Sequence, residues 1–401
     1  MPRVALKIKI LLNWYDAYEH NLIKIKKNKE VGRYRIKLIY FLNEYKNKKE
    51  RLKMKSKVTF FLIVVMVMVI FSGISWAADT KVLKLSHLNP QQPKEIATAA
   101  MTQVFKSMVE SGTNNEIVVE IYPNGVLGNE RESMEQVQTG VTQSYIASGG
   151  GMSIFYPLFS IVNIPFSITD YSVAYEVYDG PFGKELAKDI EAKTGFKVLA
   201  FGESGGFFQL TNSKRAVQKP DDMKGLKIRT MTIPIHMEFM RSLGASATPI
   251  AWAEVYTSLQ TGVVDGQHNP APIIKIGKLE EVQKYLSLTN HMYTPYVWVI
   301  NSEWFYALTD QQKTVVEEAA RVANVAGRGV NRLIETSDEG VPYLATKMEV
   351  YKPTAEELQM FKDVTIPAAM KFIEDEYKEE GKELAQKYLD AIKKSQDALG
   401  L

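Results

Sequence analysis

Apolar and polar residues alternate along the chain in two rhythms that trade places. Val82-Leu83-Lys84-Leu85-Ser86 follows the two-residue period of a half-buried strand. From Glu95 to Glu110 the period changes, with Ile96, Ala100, Val104 and Met108 four residues apart, which predicts a helix. Glu116–Ile121 predicts the next strand and Glu130–Gln138 the next helix. Residues 171–193 predict a further helix, which runs into a strand at Lys197–Phe201. Strands and helices in such alternation build mostly parallel sheets with helices on their faces, so the expected class is α/β. One helix stands apart. Thr309 with Gln312 forms a capping-box pattern, and Val315, Ala319, Val322, Val325 and Val330 extend the helical spacing towards Leu344. Such a helix would be about 50 Å long, with Gly327 and Gly329 marking an expected bend.

The N-terminal region has a different character. Met54, Lys55 and Lys57 precede an apolar run from Val58 to Phe71 and then Ser75-Trp76-Ala77, so residues 54–77 are expected to be a secretory signal peptide rather than a membrane anchor. Residues 1–53 are rich in Lys, Arg, Tyr and Ile and precede a signal with its own methionine. They are read as an over-extended start, the alternative being a basic extension that contacts anionic lipid or nucleic acid. Of the 49 basic and 46 acidic residues, 17 and 5 lie up to Ala77, leaving 32 and 41 beyond it and a net charge of −9. The exported protein is therefore acidic, and nucleic acid is not an expected partner. The chain has no cysteine, which excludes disulfides, thiolate catalysis, cysteine metal sites and a lipoprotein anchor. Its five histidines include no pair at helical metal-binding spacing, so no metal or cofactor is expected.

The most informative segment is Lys224-Gly225-Leu226-Lys227-Ile228-Arg229 together with Asp265-Gly266-Gln267-His268-Asn269-Pro270. Strand alternation sends Leu226 and Ile228 to one face and Arg229 to the other. A guanidinium at a strand end facing a cleft is a natural anchor for an organic acid, because its planar fork matches a carboxylate. Between the two motifs lie Leu243-Gly244-Ala245, Pro249-Ile250-Ala251-Trp252 and Leu259-Gln260-Thr261-Gly262. Elsewhere stand Leu127-Gly128-Asn129-Glu130-Arg131, Ile164-Pro165-Phe166, Leu210-Thr211-Asn212 and Leu288-Thr289-Asn290-His291. In this order, from about residue 80 to the C-terminus, the set resembles the solute-binding proteins of tripartite ATP-independent periplasmic (TRAP) transporters.

The resemblance implies a two-lobed periplasmic binding protein fold with the ligand cleft between the lobes and a long helix spanning both. Lobe I would hold 79–204 plus 291–330, and lobe II 205–290 plus 331–401. It further implies a periplasmic monomer that passes a small organic acid to TRAP membrane permease subunits and is not itself inserted in the membrane. Arg229 matches the family's carboxylate anchor and Asn269 its hydrogen-bonding amide. Trp252 matches an aromatic that lines the pocket. Ser148 stands where relatives that bind sialic acid carry a glutamate, which leaves a wider or less polar wall. Two residues depart from the pattern. His268 replaces a usual glutamate, and Phe208 replaces an arginine that supplies a second cation. The loss of that cation favours a monocarboxylate with an apolar or aromatic body.

An enzyme remains the alternative. Gly202-Glu203-Ser204-Gly205-Gly206 fits the serine hydrolase pattern, with Asp265 and His268 or His291 downstream in hydrolase order. Against it, a nucleophile elbow must open into a helix, whereas Phe207-Phe208-Gln209-Leu210 reads as strand, and the oxyanion-hole motif is missing. No enzymatic activity is expected.

Overall fold

The computed structural model describes residues 80–401 together with Tyr40 alone, so the expected extension and signal peptide lie outside the described residues. The first elements follow the predicted rhythm: β1 (Lys81–Ser86), α1 (Ala97–Gly112), β2 (Ile117–Tyr122), α2 (Glu130–Gln138), β3 (Ser144–Ala147) and α3 (Gly149–Phe155). The buried stripe of α1 is Ala97, Met101, Phe105 and Val109, one position on from the expected one. The helix expected at 171–193 is two, α4 (Tyr171–Asp179) and α5 (Pro181–Thr194), because Pro181 lacks the amide hydrogen a continuous helix needs and is better placed in a first turn.

β4 (Phe196–Asn212) joins the predicted strand Lys197–Phe201 and the strand-like Phe207–Leu210 into one long element. Its first part pairs with the late strand β9 and its last part with β7, so one strand carries the chain out of one group of strands into another. The second group comprises β5 (Lys227–Thr230), α6 (Pro234–Ser242), β6 (Ser246–Pro249), α7 (Trp252–Gln260), β7 (Gly266–Pro270), α8 (Ala271–Ile276) and β8 (Tyr285–Ser287). The chain then returns through β9 (Tyr293–Asn301) to α9 (Ser302–Tyr306) and α10 (Asp310–Thr336). It ends with α11 (Val341–Ala345), β10 (Glu349–Tyr351) and α12 (Ala355–Leu399). Strand order is β2-β1-β3-β9-β4-β7-β5-β6, with β8 paired to β4 and β10 to β8. β1, β2 and β3 are parallel to one another, as are β5, β6 and β7, while β9 runs antiparallel to β3 and β4.

The long helix differs from expectation in length. α10 starts at the predicted capping box, where Gln312 N donates to Thr309 Oγ1 at 3.2 Å. It stops at Thr336, which makes it about 40 Å long. Gly327 does not bend it. A Cβ there would lie 2.6 Å from Met101 Cγ and 3.2 Å from Ala97 O, so the glycine lets α10 lie close against α1. α10 lies along α1 and β4 and also touches α8 of the second group, and α12 likewise packs on both groups, touching α6 of the second and α4 and α5 of the first. α12 is broken at Lys378, whose φ of 53° is non-helical. Among the described residues, no helix is long and apolar enough to cross a membrane.

Candidate functional site

Parallel strands of both groups end near one another, and open α/β folds bind ligands just beyond such carboxyl ends. Ser86 closes β1, Ser148 follows β3, Arg229 lies near the end of β5 and Asn269 near the end of β7. Thr232, just past β5, donates to the carbonyl of Gly150 at 3.0 Å, which brings the two sides into contact at this point.

Arg229 is 2% exposed. Its Nε and Nη2 donate to a single acceptor, the carbonyl of Ile250, at 2.9 and 2.7 Å. That grip orients the fork and leaves Nη1 buried without a partner among the described residues. Burial pulls the guanidinium pKa down to about 10, and the charge of Glu130 opposes the fall. The carbonyl of Ile250 carries no charge to balance Arg229, and Nη1 is left to meet an anion beside the carboxylate of Glu130.

Glu130 is the facing charge, and sequence reasoning missed it. Asn129 caps α2 by accepting from Glu132 N at 3.1 Å, which sets Glu130 in the first helical turn, where a carboxylate is favoured. Ser148 N and Ser148 Oγ donate to its two oxygens, each at 2.7 Å. Burial pushes this carboxyl up, while the Ser148 hydrogen bonds and Arg229 pull against the shift. Tyr145 and Tyr296 also feel its charge, and the Tyr145 hydroxyl is buried without a partner among the described residues. The available signal was the polar Gly-Asn-Glu start of α2 in the motif already noted, which does not by itself distinguish a cap from a site.

The other predicted residues divide in two. Strand register puts Asn269 on the face of Arg229, since Arg229 lies opposite Gln267 and Asn269 opposite Gln209. Asn269 Nδ2 donates to Gln267 Oε1 at 2.5 Å, and Gln267 Nε2 to Thr211 Oγ1 at 2.9 Å, so a polar row runs along that face. Ser148 is spent on holding Glu130 and on capping α3, accepting from Gly150 N at 3.1 Å and Gly151 N at 3.2 Å. Trp252 opens α7 two residues after Ile250, and its half-buried ring packs close to Gly277. Phe208 lies on the opposite face, 1% exposed, with its ring edge-on to His268 at 5.2 Å and to His236 at 5.7 Å. His268 Nδ1 and His291 Nε2 are 3.0 Å apart. Burial lowers the proton affinity of all three histidines, that of His291 to about 3, so a neutral aromatic cluster backs the site.

Ser204 does not form a nucleophile elbow. It lies within β4, and its hydroxyl donates to the carbonyl of Thr294 at 2.6 Å, while His268 and His291 are engaged with each other. Three or more grouped metal-ligating side chains are absent among the described residues.

Two sets of parallel strands, joined by crossing strands and converging on an underpartnered cation, define a solute-binding protein. The profile of the bacterial extracellular solute-binding protein family 7, DctP, matches residues 86–376. A solute-binding protein of Verminephrobacter eiseniae is 40% identical over 61% of this chain and 71% of its own length. The C4-dicarboxylate-binding periplasmic protein DctP of Rhodobacter capsulatus is 32% identical over 72% of this chain and 86% of its own. A TRAP periplasmic solute-binding protein of Polaromonas, solved with D-erythronate bound, superposes with a TM-score of 0.70 at 36% identity, covering 77% of this chain and 98% of that one. The chain belongs to the DctP family: it is a periplasmic solute-binding protein of the TRAP type, not an enzyme.

Proposed function

We propose that this protein captures a small hydroxylated acid with one carboxylate, closes two lobes over it and delivers it to TRAP permease subunits. The observation that carries the reading is Arg229 Nη1, a buried donor of a charged fork with no partner among the described residues. The ligand carboxylate would take this donor, with Asn269 beside it. Glu130 would accept from hydroxyl groups on the ligand body, since a carboxylate is an acceptor by nature. Such a body replaces the apolar or aromatic one expected from sequence. Phe208 and its neutral histidines bear on the site from behind: they supply no second cation, and a second carboxylate would be desolvated without a partner. The D-erythronate of the Polaromonas relative has this chemistry, and the dicarboxylate of the Rhodobacter relative is the competing case.

Titration calorimetry with D-erythronate, other hydroxy monocarboxylates and succinate tests the reading. Removing one partner of a desolvated charge pair costs about 3–5 kcal/mol, so Arg229→Ala should lose roughly two to three and a half decades of affinity. Ser204→Ala should bind as the parent does. Tight binding of succinate with no response to any hydroxy monocarboxylate would sink the single-carboxylate assignment, and an unaffected Arg229→Ala would sink the anchor.

A further inference from the structure

Away from the pocket, the densest buried charge surrounds an irregularity in β4. Between Glu203 and Phe207 the strand advances four residues while its partner β9 moves only from Pro295 to Tyr293. The surplus is taken up by Ser204, Gly205 and Gly206. Gly205 has φ 113° and Gly206 φ 101°, a region that residues with a Cβ rarely enter. Immediately beyond, β4 leaves the first group of strands and pairs with β7 from Phe208 onward. The returning segment crosses at the same level, with Phe208 N donating to Met292 O at 2.8 Å. The two groups are thus joined here by a narrow ribbon with a bulge in it.

What packs on the bulge is polar and charged. The Glu203 side chain is 0% exposed and receives Arg332 Nη2 at 2.5 Å and the Tyr175 hydroxyl at 2.7 Å. The Arg332 guanidinium lies 3.3 Å from the centroid of the Tyr171 ring, and its Nη1 pairs with Glu335, which also accepts from the Tyr171 hydroxyl at 2.7 Å. A Cβ on Gly206 would stand 2.5 Å from the Tyr171 oxygen and 3.0 Å from Arg332 Nη2, so both groups rest on the bulge itself. From the same helix, Asn324 and Arg328 donate to the carbonyl of Phe201, each at 3.1 Å, and Asn331 donates to that of Glu203 at 3.2 Å. Positions 324, 328, 331 and 332 share one face of α10, and each makes a polar bond to β4, while Arg328 also pairs with Asp179 at the end of α4. Such bonds are directional. Shifting the bulge would break a desolvated ion pair, which apolar packing would not resist as sharply.

We infer that Glu203 and Arg332 are positioning residues that brace the bulge of β4 and set the resting angle between the two halves of the binding protein. This rests on the lobe closure proposed above. Loosening the brace spreads the unliganded molecule over more angles, and apparent affinity falls in proportion to the lost binding-competent fraction.

The cysteine-free chain permits clean spin labelling at two introduced cysteines. Val126 and Val263, 63% and 58% exposed, lie in the first and second halves. Pulsed electron resonance distances without ligand should give one narrow distribution for the parent. Glu203→Gln/Arg332→Met, which removes both charges together, should broaden or displace it and weaken D-erythronate binding several-fold. Arg332→Lys keeps the charge but not the fork, and should fall between the two; it gives the same reading if the double variant does not fold. Superposable unliganded distributions in parent and variants would overturn the brace. Failure of the closure reading would show differently, as a parent distribution that does not move when saturating acid is added.

Discussion

His87, His236, His268 and His291 are all buried, and burial lowers the proton affinity of each. An unfolded histidine takes up its proton near pH 6.5, whereas folded His87 does so near 4 and His291 near 3. Between those values the unfolded chain binds more protons than the folded one. The stability is therefore fully present above about pH 6.5 and drains away as pH falls. His87 alone should remove roughly 3 kcal/mol by pH 4, at about 1.4 kcal/mol per pH unit. In His87→Gln, whose amide can still meet Gln91, the loss of unfolding free energy between pH 6.5 and 4 should shrink by about that amount. Equal losses in denaturant titrations of the two proteins would show that His87 folds charged. Single residues were unevenly legible in the sequence. Arg229 and Asn269 stood out because their motifs are ordered and their chemistry is specific. Glu130 did not, because a carboxylate opening a helix is ordinary in sequence and becomes a site only when Ser148 and Arg229 are brought to it.

At the scale of elements, glycine has opposite meanings two residues apart in α10. A Cβ on Gly327 would press on Met101 Cγ at 2.6 Å, whereas one on Gly329 meets nothing within 4 Å. Gly329→Ala should stabilise the protein by roughly 0.5–1 kcal/mol, the usual gain in a helix interior. Gly327→Ala should destabilise it by about 1–3 kcal/mol through overpacking against α1. Thermal and denaturant unfolding of the pair checks this, and a stabilised Gly327→Ala would mean that α1 yields freely. The same contrast explains which elements could be read from sequence. Periodicity located β1, α1, β2 and α2 within two residues, because each buries one regular face. It missed the continuity of β4, since the glycine pair between Lys197–Phe201 and Phe207–Leu210 argues locally against a strand, and only the pairing to β9 and β7 carries the strand through. β7 was equally hidden, because Gly266-Gln267-His268-Asn269-Pro270 is buried throughout yet shows no apolar alternation.

For the whole molecule, the last element decides whether the two halves share one core. The family profile ends at residue 376, just before the break of α12 at Lys378. The 25 residues beyond that end are not thereby dispensable, for Ala385, Tyr388 and Ile392 among them are buried in the core of the first half. Tyr388 packs its ring 5.4 Å from that of Phe182 and donates to the carbonyl of Val162 at 3.1 Å. Earlier in the same helix, Phe361 is buried in the core of the second half. α12 therefore ties both halves together, and removing its end opens a face of the first. Full burial of a large apolar side chain is worth about 1.5–3 kcal/mol, so losing Tyr388 and Ile392 together removes several, against a total stability of about 5–15 kcal/mol for a typical domain. A chain ending at Lys378 should lose its cooperative melt or melt far below the parent, followed by circular dichroism, and should bind an apolar dye. An unchanged melting temperature would mean that the segment after Lys378 is an accessory to the fold rather than part of its core.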